Sequence, residues 1–213
     1  MSYNRGDSNS DIPMPADLQR NWARTDQDRL HSFNTSFLYQ LPVGPERRWL
    51  RDGPLSQVLG GWQMSGFFTV QSGLPIYFTA NGNNLHAPGN TQRPNVSGTP
   101  KVFGDVGPGH LWFDTSVFSA APPDTWGNAA RNGVLDGPKY VNLDTTIAKL
   151  FSFPHGIHGE FRVDIFNLLN TPHFDRPSGN FDSPNFGQIT AIIDTNGGLP
   201  DQRSMRFGLR ILF

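Results

Sequence analysis

Few residues in this chain have the type and spacing to do chemistry. His155 and His158 (HGIH) could open a metal site, but no carboxylate or thiolate accompanies them, and they read as part of a solvated turn. Asp11, Asp26 and Asp28 lack the spacing of a calcium loop. Arg5-Gly6-Asp7 spells an adhesion tripeptide in a segment with the composition of a disordered end. Asn34-Thr35-Ser36 and Asn95-Val96-Ser97 meet the glycosylation spacing by chance. The sequence contains no nucleophile elbow, phosphate loop or dinucleotide motif, so no enzyme and no cofactor is expected. What remains is charge: Arg162 with Asp164, and Arg206 with Arg210, at even spacings that put each pair on one face of a strand. The chemistry open to them is ion pairing.

The elements that carry those charges alternate with period two. Residues 203–213 read RSMRFGLRILF. Met205, Phe207, Leu209, Ile211 and Phe213 fall on one face, with Ser204, Arg206, Gly208, Arg210 and Leu212 on the other. Four more segments behave alike: 30–41, 62–71, 141–151 and 160–169. In 30–41 the apolar face is Phe33, Thr35, Phe37, Tyr39 and Leu41; in 62–71 it is Trp62, Met64, Gly66, Phe68 and Val70. In 141–151 it is Val141, Leu143, Thr145, Ile147, Lys149 and Phe151, and in 160–169 it is Phe161, Val163 and Ile165. Leu38, Phe67 and Phe166 blur the polar faces. Each segment approaches the ~9–11 residues of a tilted membrane-crossing strand, where globular strands average about five or six.

Composition agrees. Only 36% of the 213 residues are hydrophobic and 16% charged, with 23 Gly, 18 Pro and 17 Phe, a mixture suited to strands and long loops rather than helices. No run approaches the ~18 apolar residues of a membrane helix, so a membrane protein of this sequence has to be a barrel. The net charge of −1, without a basic run, gives no reason to invoke nucleic acid. The absence of cysteine excludes a disulfide scaffold and a thiolate metal site. The first residues have neither a charged n-region nor an apolar h-region, so an export signal is expected on a part not included here.

Spacer lengths alternate, with about twenty residues between the first two strands, a single turn (SFPHGIHG) between the third and fourth, and much longer Gly/Pro/Asn-rich stretches at 72–140 and 170–202. Outer-membrane barrels have short periplasmic turns and long extracellular loops, which sets the strands running down, up, down, up and down. Every periplasmic strand end then carries an aromatic on its apolar parity: Tyr39, Trp62, Phe151, Phe161 and Phe213, an interfacial girdle. Lys149 is the awkward outward residue and is expected to snorkel to the interface. A sixth strand-like stretch, 186–193 (FGQITAII), is expected as an extracellular extension or hairpin, because a lone extra crossing would invert the final strand. The expected fold is all-β: part of an antiparallel transmembrane β-barrel, with 1–29 an extracellular, disordered start and 30–213 the C-terminal part of the wall.

The stretches FLYQLPVG, LGGWQMSGFFTVQSGLPI, WFDTSVFSAAP, WGNAARNGVLDGPKYVNLDTTIAKLF, EFRVDIFNLLNTPHFDRP, FGQIT and RFGLRILF, in that order, cover nearly everything from about residue 30 onward. Together they resemble the C-terminal barrel of TonB-dependent outer-membrane receptors of the Oar-like, carboxypeptidase-regulatory-domain type. The resemblance implies a barrel of about 22 strands in the bacterial outer membrane, plugged by an N-terminal domain that meets TonB, taking up large scarce substrates. Plug, TonB box and the other strands are absent from this sequence, so it reads as a fragment, not transport-competent alone.

The same resemblance makes Phe207, Leu209, Ile211 and Phe213 the signal read by the barrel-assembly machinery, facing outer-membrane lipid at the same time. Arg162, Asp164, Arg206 and Arg210 become lumen-facing, pairing within the wall or with a plug, with plain lumen solvation weighed above a substrate site. Tyr77, Phe78, Trp112, Phe113 and Trp126 are loop aromatics suited to stacking on a substrate, or equally to packing within the loops. A soluble secreted β-sandwich for adhesion or glycan binding is the alternative reading.

Overall fold

Alternating sequences became strands, and the register between them keeps every face intact. The computed structural model describes residues 3–4, 19, 22–44, 47–81, 85, 92–153, 157–193 and 201–213. In chain order these form β1 (Tyr3–Asn4), β2 (Ala23–Arg24), β3 (Ser32–Gln40), α1 (Pro54–Leu59), β4 (Trp62–Gln71), β5 (Asn95–Val96), β6 (Phe118–Ser119), β7 (Tyr140–Ser152), β8 (His158–Phe166) and β9 (Ser204–Leu212). The long strands make one open five-stranded sheet in the order β3-β4-β7-β8-β9, with β3 and β9 as its edges, while β1 pairs with β2 and β5 with β6. No helix among the described residues is long and apolar enough to cross a membrane. His155, Asp11 and the Arg5-Gly6-Asp7 tripeptide lie outside the described residues.

Register follows from the ladder bonds. β7 and β8 are antiparallel, from Thr145↔Ile165 to Ser152↔His158, and β8 and β9 from His158↔Leu212 to Phe166↔Ser204. Between β3 and β4, Leu41 N–H donates to Trp62 O at 3.0 Å and Ser72 N–H to His31 O at 2.9 Å; between β4 and β7, Leu150 N–H meets Gly61 O and Gly137 N–H meets Leu74 O, both at 2.8 Å. Each pair of bonds defines one antiparallel register. Because opposed residues share a face, Phe37, Tyr39, Trp62, Met64, Ile147, Lys149, Phe151, Phe161, Val163, Phe207, Leu209 and Ile211 occupy one side of the sheet. Ser36, Thr146, Arg162, Asp164, Arg206 and Arg210 occupy the other.

Where strand limits depart from the sequence pattern, a side chain decides. The fourth strand, expected at 160–169, begins at His158 and stops at Phe166. Asn167 and Asn170 there take left-handed backbone (φ 49° and 51°), which asparagine tolerates better than most residues. The Asn167 N–H donates to Asp144 Oδ1 at 2.8 Å, and its amide exchanges bonds with Thr171, donating to O at 2.9 Å and accepting from N–H at 3.0 Å. Those bonds satisfy the backbone that a longer ladder would have used. His158 is therefore a strand residue rather than part of a solvated turn, its Nδ1 3.1 Å from Ser152 Oγ. The described residues include no group of three or more metal-ligating side chains.

By contact the chain divides into two units: one of Phe33–Val70, Val141–Pro172 and Asp194–Phe213, and one of Met1–Ser32, Gln71–Tyr140 and His173–Ile193. The second unit has a hydrophobic core of its own: Ile76, Phe78, Phe113, Phe118, Ala129 and Phe186, with Trp112 and Phe181 packed against it. The rings interlock, Phe78 stacking on Phe118 at 4.8 Å and Phe113 meeting Phe186 edge-on at 5.5 Å. Phe78 and Phe113 are fully buried, so packing within the loops accounts for them and they are not exposed stacking platforms. The 186–193 stretch belongs to this unit, through buried Phe186 and Ile189 and an isolated bridge from Ile192 to Phe174. Asp26 and Asp28 serve here as arginine partners: Arg24 pairs with Asp28 at 3.0 Å and with Asp136 at 2.7 Å, and Arg131 reaches Asp26 at 3.5 Å. Backbones approach so closely that a Cβ on Gly127 would overlap the Arg93 carbonyl. Phe78→Ala removes the ring at the centre of this cluster and is expected to cost about 3–5 kcal/mol. Hydrogen exchange should show amide protection at Ile76 and Phe118 falling accordingly; unchanged protection would mean the aromatic cluster is not what holds the unit together.

Candidate functional site

The polar face concentrates its charge on β8 and β9. Strand parity brings Arg162, Asp164, Arg206 and Arg210 to one surface, and the register sets Asp164 opposite Arg206 and Glu160 opposite Arg210. Directly opposed Cβ atoms are about 4.5–5.5 Å apart, near enough for opposite charges to attract. Arg162 Nε donates to Asp164 Oδ1 at 2.7 Å, and the Thr146 hydroxyl donates to the same oxygen at 2.6 Å from the neighbouring strand. The Arg206 guanidinium lies 5.5 Å above the Phe166 ring, a cation–π distance. In this patch on β8 and β9 three arginines stand against two carboxylates, and Asp144 adds a third carboxylate beside them from β7.

This patch borders a groove of about 530 Å³ lined by Leu38, Phe67, Phe166, Thr146, Arg162 and Asp164 among others. Leu38, Phe67 and Phe166, the three residues that spoil the polar alternation, thus lie together in one groove beside the charges. The groove combines an apolar floor with guanidinium and carboxylate groups at its edge. Sequence reasoning missed Glu160 and Thr146. Glu160 shares the parity of Arg162 and could have been read with it, whereas the Thr146 bond depends on cross-strand register.

The aromatic residues fall on the opposite, apolar face. Phe151 sits opposite Gly159, and its ring fills the space a Cβ there would take, an aromatic covering a glycine across the ladder. Phe161, two residues on, pairs with Leu209. Tyr39, Phe207, Leu209 and Ile211 are 56%, 67%, 67% and 55% exposed, so this apolar surface is uncovered over both edge strands. Phe213 follows β9 and is fully exposed. Lys149 shares this face, and its ammonium donates to the carbonyls of Gln57 at 2.7 Å, Val58 at 2.9 Å and Gly60, and lies 5.5 Å from the Trp62 ring centre. The end of α1 has carbonyls without helical partners, so a cation satisfies them and is satisfied in turn.

A two-faced sheet of long strands, its apolar side uncovered over the edge strands, is the form a barrel wall takes. The chain matches the family model described as outer membrane beta barrel domain over residues 1–206. It belongs to that family. The barrel domain's place is accordingly the bacterial outer membrane, and the soluble-sandwich reading does not survive. No curated protein and no solved structure matches it.

In the polar cluster Asp164 accepts from two donors while Arg162 is half exposed. Asp164→Ala in the inserted barrel should therefore cost about 1–3 kcal/mol and Arg162→Ala less than about 1 kcal/mol. Thermal unfolding followed by tryptophan fluorescence measures both, and equal losses would show that the Thr146 bond contributes nothing.

Proposed function

We propose that the barrel domain is the C-terminal wall of a TonB-dependent, Oar-like receptor that takes up a large scarce substrate across the outer membrane. The observation that carries this reading is the alternation of short and long connections on a two-faced sheet. The 41–61 and 153–157 connections join strands at one end, and 72–139 and 167–203 join them at the other. In outer-membrane barrels the short end is periplasmic and the long end extracellular. The apolar face then meets lipid, with Tyr39, Trp62, Phe151, Phe161 and Phe213 at the periplasmic interface, and the charged groove faces the lumen.

Closure supports a larger parent. Neighbouring strands are antiparallel, so β3 and β9, the edges of five, run in the same direction. Joining them directly would make a parallel seam, whereas an odd number of further strands keeps every pairing antiparallel and abolishes both edges. Those strands, together with a plug that meets TonB, come from outside these 213 residues in this reading. The alternating ladder of Phe207, Leu209, Ile211 and Phe213 serves as the mark recognised by the assembly machinery.

Two measurements test this. Protein extracted from the native outer membrane should carry a plug domain and bind the purified soluble domain of TonB; extraction without either removes the receptor reading and leaves the barrel. Deleting Phe213 from the full protein should lower its outer-membrane level several-fold more than Phe153→Ala does, by quantitative blotting of membrane fractions. Equal effects would sink the assembly role.

A further inference from the structure

We propose that residues 47–61 form a phospholipid-binding foot: α1 rests on the lipid side of the wall, sinks Leu55, Val58 and Leu59 into the adjoining leaflet, and presents Arg48 and Arg51 to the phosphates of anionic glycerophospholipid. The inference rests on the reading of the apolar face as lipid-facing, and not on TonB-dependent uptake.

The position of α1 is set by two residues of the apolar face. Lys149, opposite Trp62 in the β4/β7 register, gives its ammonium to the carbonyls of Gln57, Val58 and Gly60. The Trp62 indole N–H donates to Val58 O at 3.0 Å. Both side chains leave the sheet on the side of Phe161 and Leu209, so the end of α1 is tied to that side. Described residues of the connection are bonded to one another: Trp49 N–H donates to Pro42 O at 3.1 Å, Gly44 N–H to Trp49 O at 3.0 Å, and the Ser56 hydroxyl to Arg51 O at 3.1 Å. Gly44 and Gly60 touch backbone to backbone, where neither has room for a Cβ.

On this frame Leu55 and Val58 are 61% and 62% exposed, and Leu59 and Trp49 are about half exposed or more. Apolar residues exposed in this way are a liability in water and an anchor beside a bilayer. The charges fit the same boundary. Arg48 lies 5.7 Å over the Trp49 ring, and Arg51 donates its Nε–H to Arg47 O at 3.0 Å. Arg47 itself turns to Gln40 Oε1 at 3.0 Å and takes no part. Asp52 and Glu46 keep the net charge of the connection low. Recognition therefore falls to short charge-assisted hydrogen bonds, for which a guanidinium and a phosphate are matched in shape.

Spin labels decide this. The chain has no cysteine of its own, so Val58→Cys, Leu209→Cys and Asp105→Cys each carry a unique label in the full protein, any other cysteine being replaced. The protein is reconstituted in phosphatidylcholine vesicles with and without phosphatidylglycerol. The label at 58 should resemble that at 209, more accessible to oxygen than to a water-soluble nickel chelate, with the reverse at 105. Phosphatidylglycerol should immobilise the label at 58, and Arg48→Gln with Arg51→Gln should reduce that response at least twofold. A label at 58 that behaves like 105 while 209 stays in lipid overturns the foot alone. Water exposure at 209 overturns the lipid-facing reading and the foot with it. A larger response to lipid A vesicles than to phosphatidylglycerol overturns the assignment of the occupant.

Discussion

Inside hydrocarbon a backbone N–H or C=O finds no water, so every such group in a crossing strand has to be met by the strand beside it. That constraint orders the sheet. From His158↔Leu212 to Phe166↔Ser204 the β8/β9 ladder runs without a bulge, and β7 and β8 keep one register from Thr145↔Ile165 to Ser152↔His158. With backbone pairing settled, the side chains have no further choice of face. A slip of one residue would turn Arg206 and Arg210 toward the apolar side and Phe207 and Leu209 toward the polar one, so the charged groove and the apolar wall are consequences of the same hydrogen bonds.

The exceptions to the alternation are where the structure adds chemistry. Lys149 would be an uncompensated cation on an apolar face, and the end of α1 would have unmet carbonyls; each cures the defect of the other. Gly159 would leave a gap in the ladder, and the Phe151 ring covers it. Leu38, Phe67 and Phe166 break the polar pattern in sequence and become the floor of a groove in space. Local departures of this kind rest on a regular frame and would be meaningless without it.

The two units were legible to different degrees. Five strands, their faces and the charged parity of Arg162, Asp164, Arg206 and Arg210 follow from period-two alternation, a local signal that needs no knowledge of distant partners. The unit built from 71–140 and 173–193 follows no period. Its core joins Phe78, Phe113, Phe118 and Phe186 across long separations through isolated bridges, so a one-dimensional reading sees loop aromatics without knowing whether they face each other or solvent. The end of β8 at Phe166 was hidden for a related reason, since the bond from Asn167 to Asp144 spans two strands.

Alternating, bilayer-length strands with short and long connections, and hence a sheet with one apolar and one charged face, can be read from the residues in order. That reading is possible because strand periodicity is written in adjacent residues. That Asp164 accepts from both Arg162 and Thr146, that Lys149 is held by α1, and that Phe78, Phe113, Phe118 and Phe186 form a core emerges from the folded chain alone. Each of those depends on a contact between residues far apart in sequence, whose meeting is fixed by register and packing.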